Sequence, residues 1–159
     1  MAIGSAPAFG VGTLTSTGVL VDTQTVVVGG KTYTWQDTLT DVDGNVDTGA
    51  DAEAGLANLK NAINLTGTPG TGYAASMTKN AQVYCTAVTA TTLVVSAHVP
   101  GTIGNLVAST ETGTNTAWGG ATLASGTGDI GDWIQDLISL NQINSEVLQA
   151  IKTITPQSD

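Results

Sequence analysis

The run from Val26 to Asn64 constrains this chain most. It opens Val26-Val27-Val28-Gly29-Gly30-Lys31-Thr32-Tyr33-Thr34-Trp35. Two glycines between β-branched and aromatic runs mark a two-residue hairpin turn, because such a turn closes without strain only on residues that tolerate φ > 0. An acidic connection, 37–48, follows. Then Ala52, Leu56, Leu59 and Ile63 recur at helical spacing and predict a helix over 50–64. Thr48 or Asp51 stands where an N-cap is needed, and Asp51 and Glu53 favour the positive end of the helix dipole. Gly55 inside that helix costs ~1 kcal/mol relative to Ala, which points to a close approach of helix to sheet. A hairpin, a helix and further hairpins predict an α+β fold: an antiparallel β-sheet domain covered on one face by one helix.

The remaining strands are read from alternation and turn residues. Residues 13–21 form a first strand, with Gly18 as its weak point. Residues 82–87 and 92–98 form a second hairpin, ended by Pro100-Gly101. Residues 103–110 are a strand or turn, and 116–123 a closing strand. Residues 65–75 carry Gly67, Pro69, Gly70 and Gly72 and form a loop. On the second arm of the first hairpin Lys31, Tyr33 and Trp35 share one face, so Tyr33 and Trp35 are core candidates.

Four segments follow in order. Residues 1–11, with Gly4, Pro7 and Gly10, make an extended arm that either packs on a neighbour or frays. Residues 12–124 are the body, and 125–128 (Ser-Gly-Thr-Gly) a flexible hinge. Residues 129–155 are a C-terminal amphipathic helix, with Asp132 and Gln135 spaced as a capping box and Pro156 beyond its end. Trp133, Leu137, Leu140, Asn144, Val147, Ile151 and Ile154 alternate at spacings of four and three, the seam of a self-associating helix. Ile134, Ile138, Ile143 and Leu148 widen that seam beyond two strands, and Asn144 is a lone polar residue of the kind that sets register. The expected use is oligomerisation, as a homotrimer, or docking on another protein, rather than folding back on the body.

Composition excludes several functions. Lys and Arg number 4 against 13 Asp and Glu, a net charge of −9, so phosphate backbones and anionic lipid repel the chain. Only 11% of residues are charged while 41% are hydrophobic, and the abundant Thr and Val favour strands over disorder. No apolar run approaches the ~20 residues of a membrane helix, and the first residues lack the basic start of a signal peptide.

Chemistry-bearing motifs are few. Gly29-Gly30-Lys31-Thr32 has the tail of a phosphate-binding loop, but Thr25 stands where the first glycine belongs and a strand follows instead of a helix. Asp41, Asp43, Asn45 and Asp47 place oxygen-bearing side chains at alternate positions, as a calcium loop does; they are the weak metal candidates, because Val46 and Ala52 fall where the loop needs Gly and Glu. Cys85, the sole cysteine, reads as a buried apolar residue without a reactive neighbour. His98, the sole histidine, reads as a partly buried structural residue with no triad or metal pair around it. No cofactor is expected, nor an enzyme; a hydrolase would need carboxylates that meet only in the fold.

The order Val-x-Val-x-Gly-Lys-Thr-Tyr-Thr-Trp, then Leu56-x-x-Leu59-x-x-Ala62-Ile63-Asn64, Gly104-Asn105-Leu106 and Trp118-Gly119-Gly120-Ala121-Thr122-Leu123 resembles a small domain common in virion proteins of tailed bacteriophages. The resemblance spans 12–126. It implies a structural place in a phage particle (capsid decoration, tail or fibre), with the chain itself and other virion proteins as partners. It implies no reaction. The rival reading is a carbohydrate-binding module for host-surface glycan, with Trp35 and Trp118 as stacking platforms.

Overall fold

The computed structural model describes residues 6–128 and 130–154; the side chains of Ile130, Asp132, Trp133, Asp136, Thr153 and Ile154 lie outside that description, as do residues 1–5 of the expected arm. The first hairpin forms as its sequence requires. Strands β2 (Thr25–Val28) and β3 (Lys31–Gln36) pair antiparallel across Gly29 and Gly30, whose φ angles are 60° and 72°. Alternation turns Val26, Val28, Tyr33 and Trp35 inward, and all four are buried. Trp35 is therefore core and cannot serve as an exposed platform.

Helix α1 (Ala52–Asn64) is capped by Asp51, whose carboxylate accepts the Ala54 N–H at 2.8 Å. Thr48 is not the cap; its hydroxyl donates to Asp37 at 2.9 Å. The buried face is Gly55, Leu56, Leu59, Ala62 and Ile63, with Ala52 only half-buried. Gly55 allows the close approach expected of it, against the Thr48 carbonyl and Leu20 rather than against a strand.

The strands are β1 (Phe9–Ser16), β4 (Asn45–Asp47), β5 (Val83–Val88), β6 (Thr92–Pro100), β7 (Ser109–Glu111) and β8 (Thr116–Trp118), besides β2 and β3. A 3₁₀ helix, Thr102–Leu106, precedes β7. The α+β class stands, but one sheet becomes two. The first has the order β5-β6-β1-β8 and the second β4-β3-β2-β7. β1 ends at Ser16, and Leu20 then enters the core as the chain crosses to the second sheet. All pairs are antiparallel except β3 with β4, which are parallel. One hydrophobic cluster joins Leu14, Leu93 and Val95 of the first sheet, Val26, Tyr33 and Trp35 of the second, and Leu56, Leu59 and Ile63 of α1. The helix packs chiefly on β5.

Each outer strand has a covering. Asn64 brackets Cys85 of β5, donating to its carbonyl at 3.0 Å and accepting its N–H at 2.8 Å; Asn80 accepts the Val83 N–H at 3.1 Å. Outside β4, Asp47 N–H bonds the Gly72 carbonyl and Ala74 N–H the Asn45 carbonyl. Outside β7, Ser109 N–H bonds the Ala121 carbonyl, and on β8 the Trp118 N–H reaches the Glu111 carboxylate at 3.3 Å. These short, covered margins are how a sheet avoids pairing with another chain.

Helix α2 (Ile130–Ile154) starts two residues before Asp132, which therefore lies within it and is not its cap. The segment before it is tied down, unlike the loose hinge expected. The Thr127 carbonyl accepts the Ala8 N–H at 2.9 Å, the Gly128 carbonyl accepts the Thr102 N–H at 3.2 Å, and the Asn105 side chain bonds Gly126 both ways. A Cβ on Gly126 would lie 2.4 Å from the Gly101 carbonyl oxygen, and one on Gly10 would lie 2.5 Å from the Gly104 backbone. Glycine is present there so that backbones can touch. The same contacts hold the end of the expected arm, since Phe9, Gly10 and Val11 belong to β1.

Candidate functional site

The acidic turn is a clasp. Asp41 accepts the Ser76 N–H at 2.7 Å. Asp43 takes Lys31 Nζ at 2.6 Å, the Thr78 N–H at 2.9 Å and the Thr78 hydroxyl at 2.6 Å, and Lys31 also donates to the Thr78 carbonyl. The Asn45 side chain donates to the Thr40 hydroxyl at 2.8 Å, and Asp47 accepts the Gly49 N–H at 2.8 Å. The four candidate metal ligands thus turn to separate protein partners, and the fold does not bring them onto one point. Among the described residues no group of three or more His, Cys, Asp or Glu could hold a metal ion. Lys31 is committed to Asp43 at the end of a hairpin, which leaves the phosphate-loop tail without its cation or its helix.

Burial raises the Asp43 carboxyl, but hydrogen bonds from Lys31 and Thr78, with the Lys31 charge, outweigh it and bring the pKa down to about 2. Asp41 is lowered as well, first by the Ser76 N–H. A folded-state value below the ordinary carboxylate range contributes stability that is present in full above about pH 4 and is lost as pH falls toward about 2. The melting temperature of the wild type should therefore drop more steeply across that window than that of Asp43→Asn. Parallel declines would show that the clasp adds nothing to acid sensitivity.

His98 is exposed, contrary to expectation, and its ring stacks on Tyr84 with centroids 5.2 Å apart. The two sit diagonally across β5 and β6, where a side chain can find an aromatic partner without entering the core. Cys85 is buried, and burial pushes its thiol up to about 11, so it is a poor nucleophile. Asn80, which the sequence reading passed over, is 1% exposed and bonds both sheets.

Trp118 is half-buried and packs on the core. Its indole N–H donates to the Thr110 carbonyl at 3.1 Å. A cleft of about 380 Å³ opens beside it, lined by Ser109, Thr110, Glu111, Gly120 and Ala121, and a second of about 220 Å³ adjoins Val11, Thr13 and Thr122. A separate apolar groove of about 280 Å³ lies by the 3₁₀ helix, where Leu106, Ile103 and Val99 are the exposed walls.

On α2, Leu137, Ile138, Ile143, Val147 and Leu148 are between 39% and 60% exposed, Leu140 is half-buried and Asn144 exposed. Ile151 is also exposed; the side chains of Trp133 and Ile154 are outside the described residues. No described helix is long and apolar enough to cross a membrane. No protein-family model matches the chain, and no curated protein matches it.

Proposed function

We propose that this chain is a non-enzymatic structural subunit of a tailed-phage virion, a capsid-decorating, tail or fibre-linked protein that self-associates through α2 as a trimer. The carrying observation is the row of exposed Leu137, Ile138, Ile143, Val147 and Leu148 on one continuous helix. Apolar side chains of that number on a solvent-facing helix need a partner surface. The identical stripe on a second and third copy satisfies the need at the observed spacing, and the width of the stripe favours more than two strands. Asn144 within it would align the copies in one register. The phage assignment is supported by the sequence resemblance, and the acidic charge suits a partner that is protein rather than nucleic acid.

Sedimentation of the full-length protein tests this. The wild type should run as a trimer and Leu137→Asp/Val147→Asp as a folded monomer, because a carboxylate at a seam position buries charge in the assembly and leaves the body untouched. A monomeric wild type at all attainable concentrations would sink self-association.

A further inference from the structure

We propose that the cleft beside Trp118 is a binding site for a neutral saccharide, with one pyranose ring stacked on the indole. The indole is held before any ligand arrives. Its N–H is bonded to the Thr110 carbonyl, its backbone N–H to Glu111, and its inner side rests on the core. A platform already fixed loses little freedom on binding, and an aromatic face suits the C–H face of a sugar ring.

The glycines next to it support the same reading. Neither Gly119 nor Gly120 has positive φ. A Cβ on Gly119 would meet only the Thr13 carbonyl oxygen, at 3.7 Å, and one on Gly120 only the Thr122 carbonyl oxygen, at 3.4 Å. Backbone conformation and packing therefore do not require glycine at either place, in contrast to Gly10, Gly55 and Gly126. Both line a cleft beside the indole without filling it. Both clefts border the indole, since Ser109, Trp118 and Gly120 line each of them.

The rim supplies the polar half of a sugar site. Glu111 and Thr110 line one cleft, Thr13 and Thr122 the other, a small set of acceptors and hydroxyls beside the Trp118 ring. Glu111 in the cleft lining and a net charge of −9 oppose anionic ligands, which selects neutral sugars over sialylated or phosphorylated ones. This site uses no residue of α2 and stands independently of the assembly proposal.

The test is a titration of ¹⁵N-labelled full-length protein with neutral gluco-, galacto- and manno-configured hexasaccharides at millimolar concentration. At least one should give a saturable shift of the Trp118 indole N–H resonance and of its neighbours in sequence. Gly120→Leu, whose Cβ meets only the Thr122 carbonyl oxygen at 3.4 Å, should keep the dispersed spectrum of a folded body and weaken that binding about tenfold or more (~1.4 kcal/mol), as should Trp118→Ala. Absence of a saturable shift with all three sugars overturns the proposal, and so does a shift that Gly120→Leu leaves unchanged.

Discussion

Asn80→Ala should lose about 3–5 kcal/mol in urea unfolding, a large share of the ~5–15 kcal/mol that holds a domain together. Asn80 is 1% exposed. Its amide donates to the Val28 carbonyl at 2.9 Å and to the Tyr33 hydroxyl at 3.2 Å, and its carbonyl accepts the N–H groups of Gln82 and Val83 at 2.9 and 3.1 Å. Val28, Tyr33 and Val83 are themselves buried, so truncation strips the Tyr33 hydroxyl and the Val83 N–H of their Asn80 bonds away from water and takes one of the bonds to the Val28 carbonyl. Each such group costs ~1–3 kcal/mol. Tyr33 cannot escape by ionising, since burial pushes its hydroxyl up to about 12. One side chain thus ties the end of β2, the middle of β3 and the start of β5, which belong to different sheets. A loss below about 1 kcal/mol would mean that water replaces the amide and that the sheets are joined by apolar contact alone.

Gly55→Ala should destabilise by about 2–3 kcal/mol, the opposite sign from the ~1 kcal/mol gain that Ala brings inside an open helix. The added Cβ would lie 2.3 Å from the Thr48 carbonyl oxygen and 2.4 Å from Leu20 Cδ1. Leu20 can turn aside. The Thr48 backbone is less free, because its N–H bonds the Gln36 carbonyl at 3.1 Å at the end of β3. Helix α1 must therefore move off its neighbours and loosen Leu56 and Leu59. Adding Leu20→Ala should restore little, since the carbonyl contact remains. Thermal unfolding of the single and double variants decides it; a raised melting temperature in Gly55→Ala would show that the helix relaxes freely.

Local signals were legible from residues alone. The Gly29-Gly30 turn, the buried pair Tyr33 and Trp35, the Asp51 cap and the tight site at Gly55 each follow from near neighbours in sequence. What could not be read depends on distant pairings. Leu14 lies between Leu93 and Trp118, and nothing near residue 14 announces either, so one sheet was expected where two form. Polar residues in loops were equally silent: Asn64 and Asn80 look like ordinary turn formers until the strand they cover is in place. The 125–128 segment misled for a related reason. A Ser-Gly-Thr-Gly run reads as slack chain, yet glycine also appears where two backbones must touch, and only the fold distinguishes these uses. Of the candidate sites, the apolar stripe of α2 was visible as periodicity, whereas the cleft at Trp118 needed the meeting of β7, β8 and the glycines that follow β8.

The asparagine amides along β5 carry a further consequence. A polypeptide this poor in charge and this rich in valine and threonine has the composition of one that accretes into fibrils when copies crowd together. Here the two outward rungs of that ladder are occupied by side chains that mimic a neighbouring strand and then stop. A strand arriving on that side finds the Val83 N–H and both backbone groups of Cys85 already bonded, so growth by strand exchange lacks a template there.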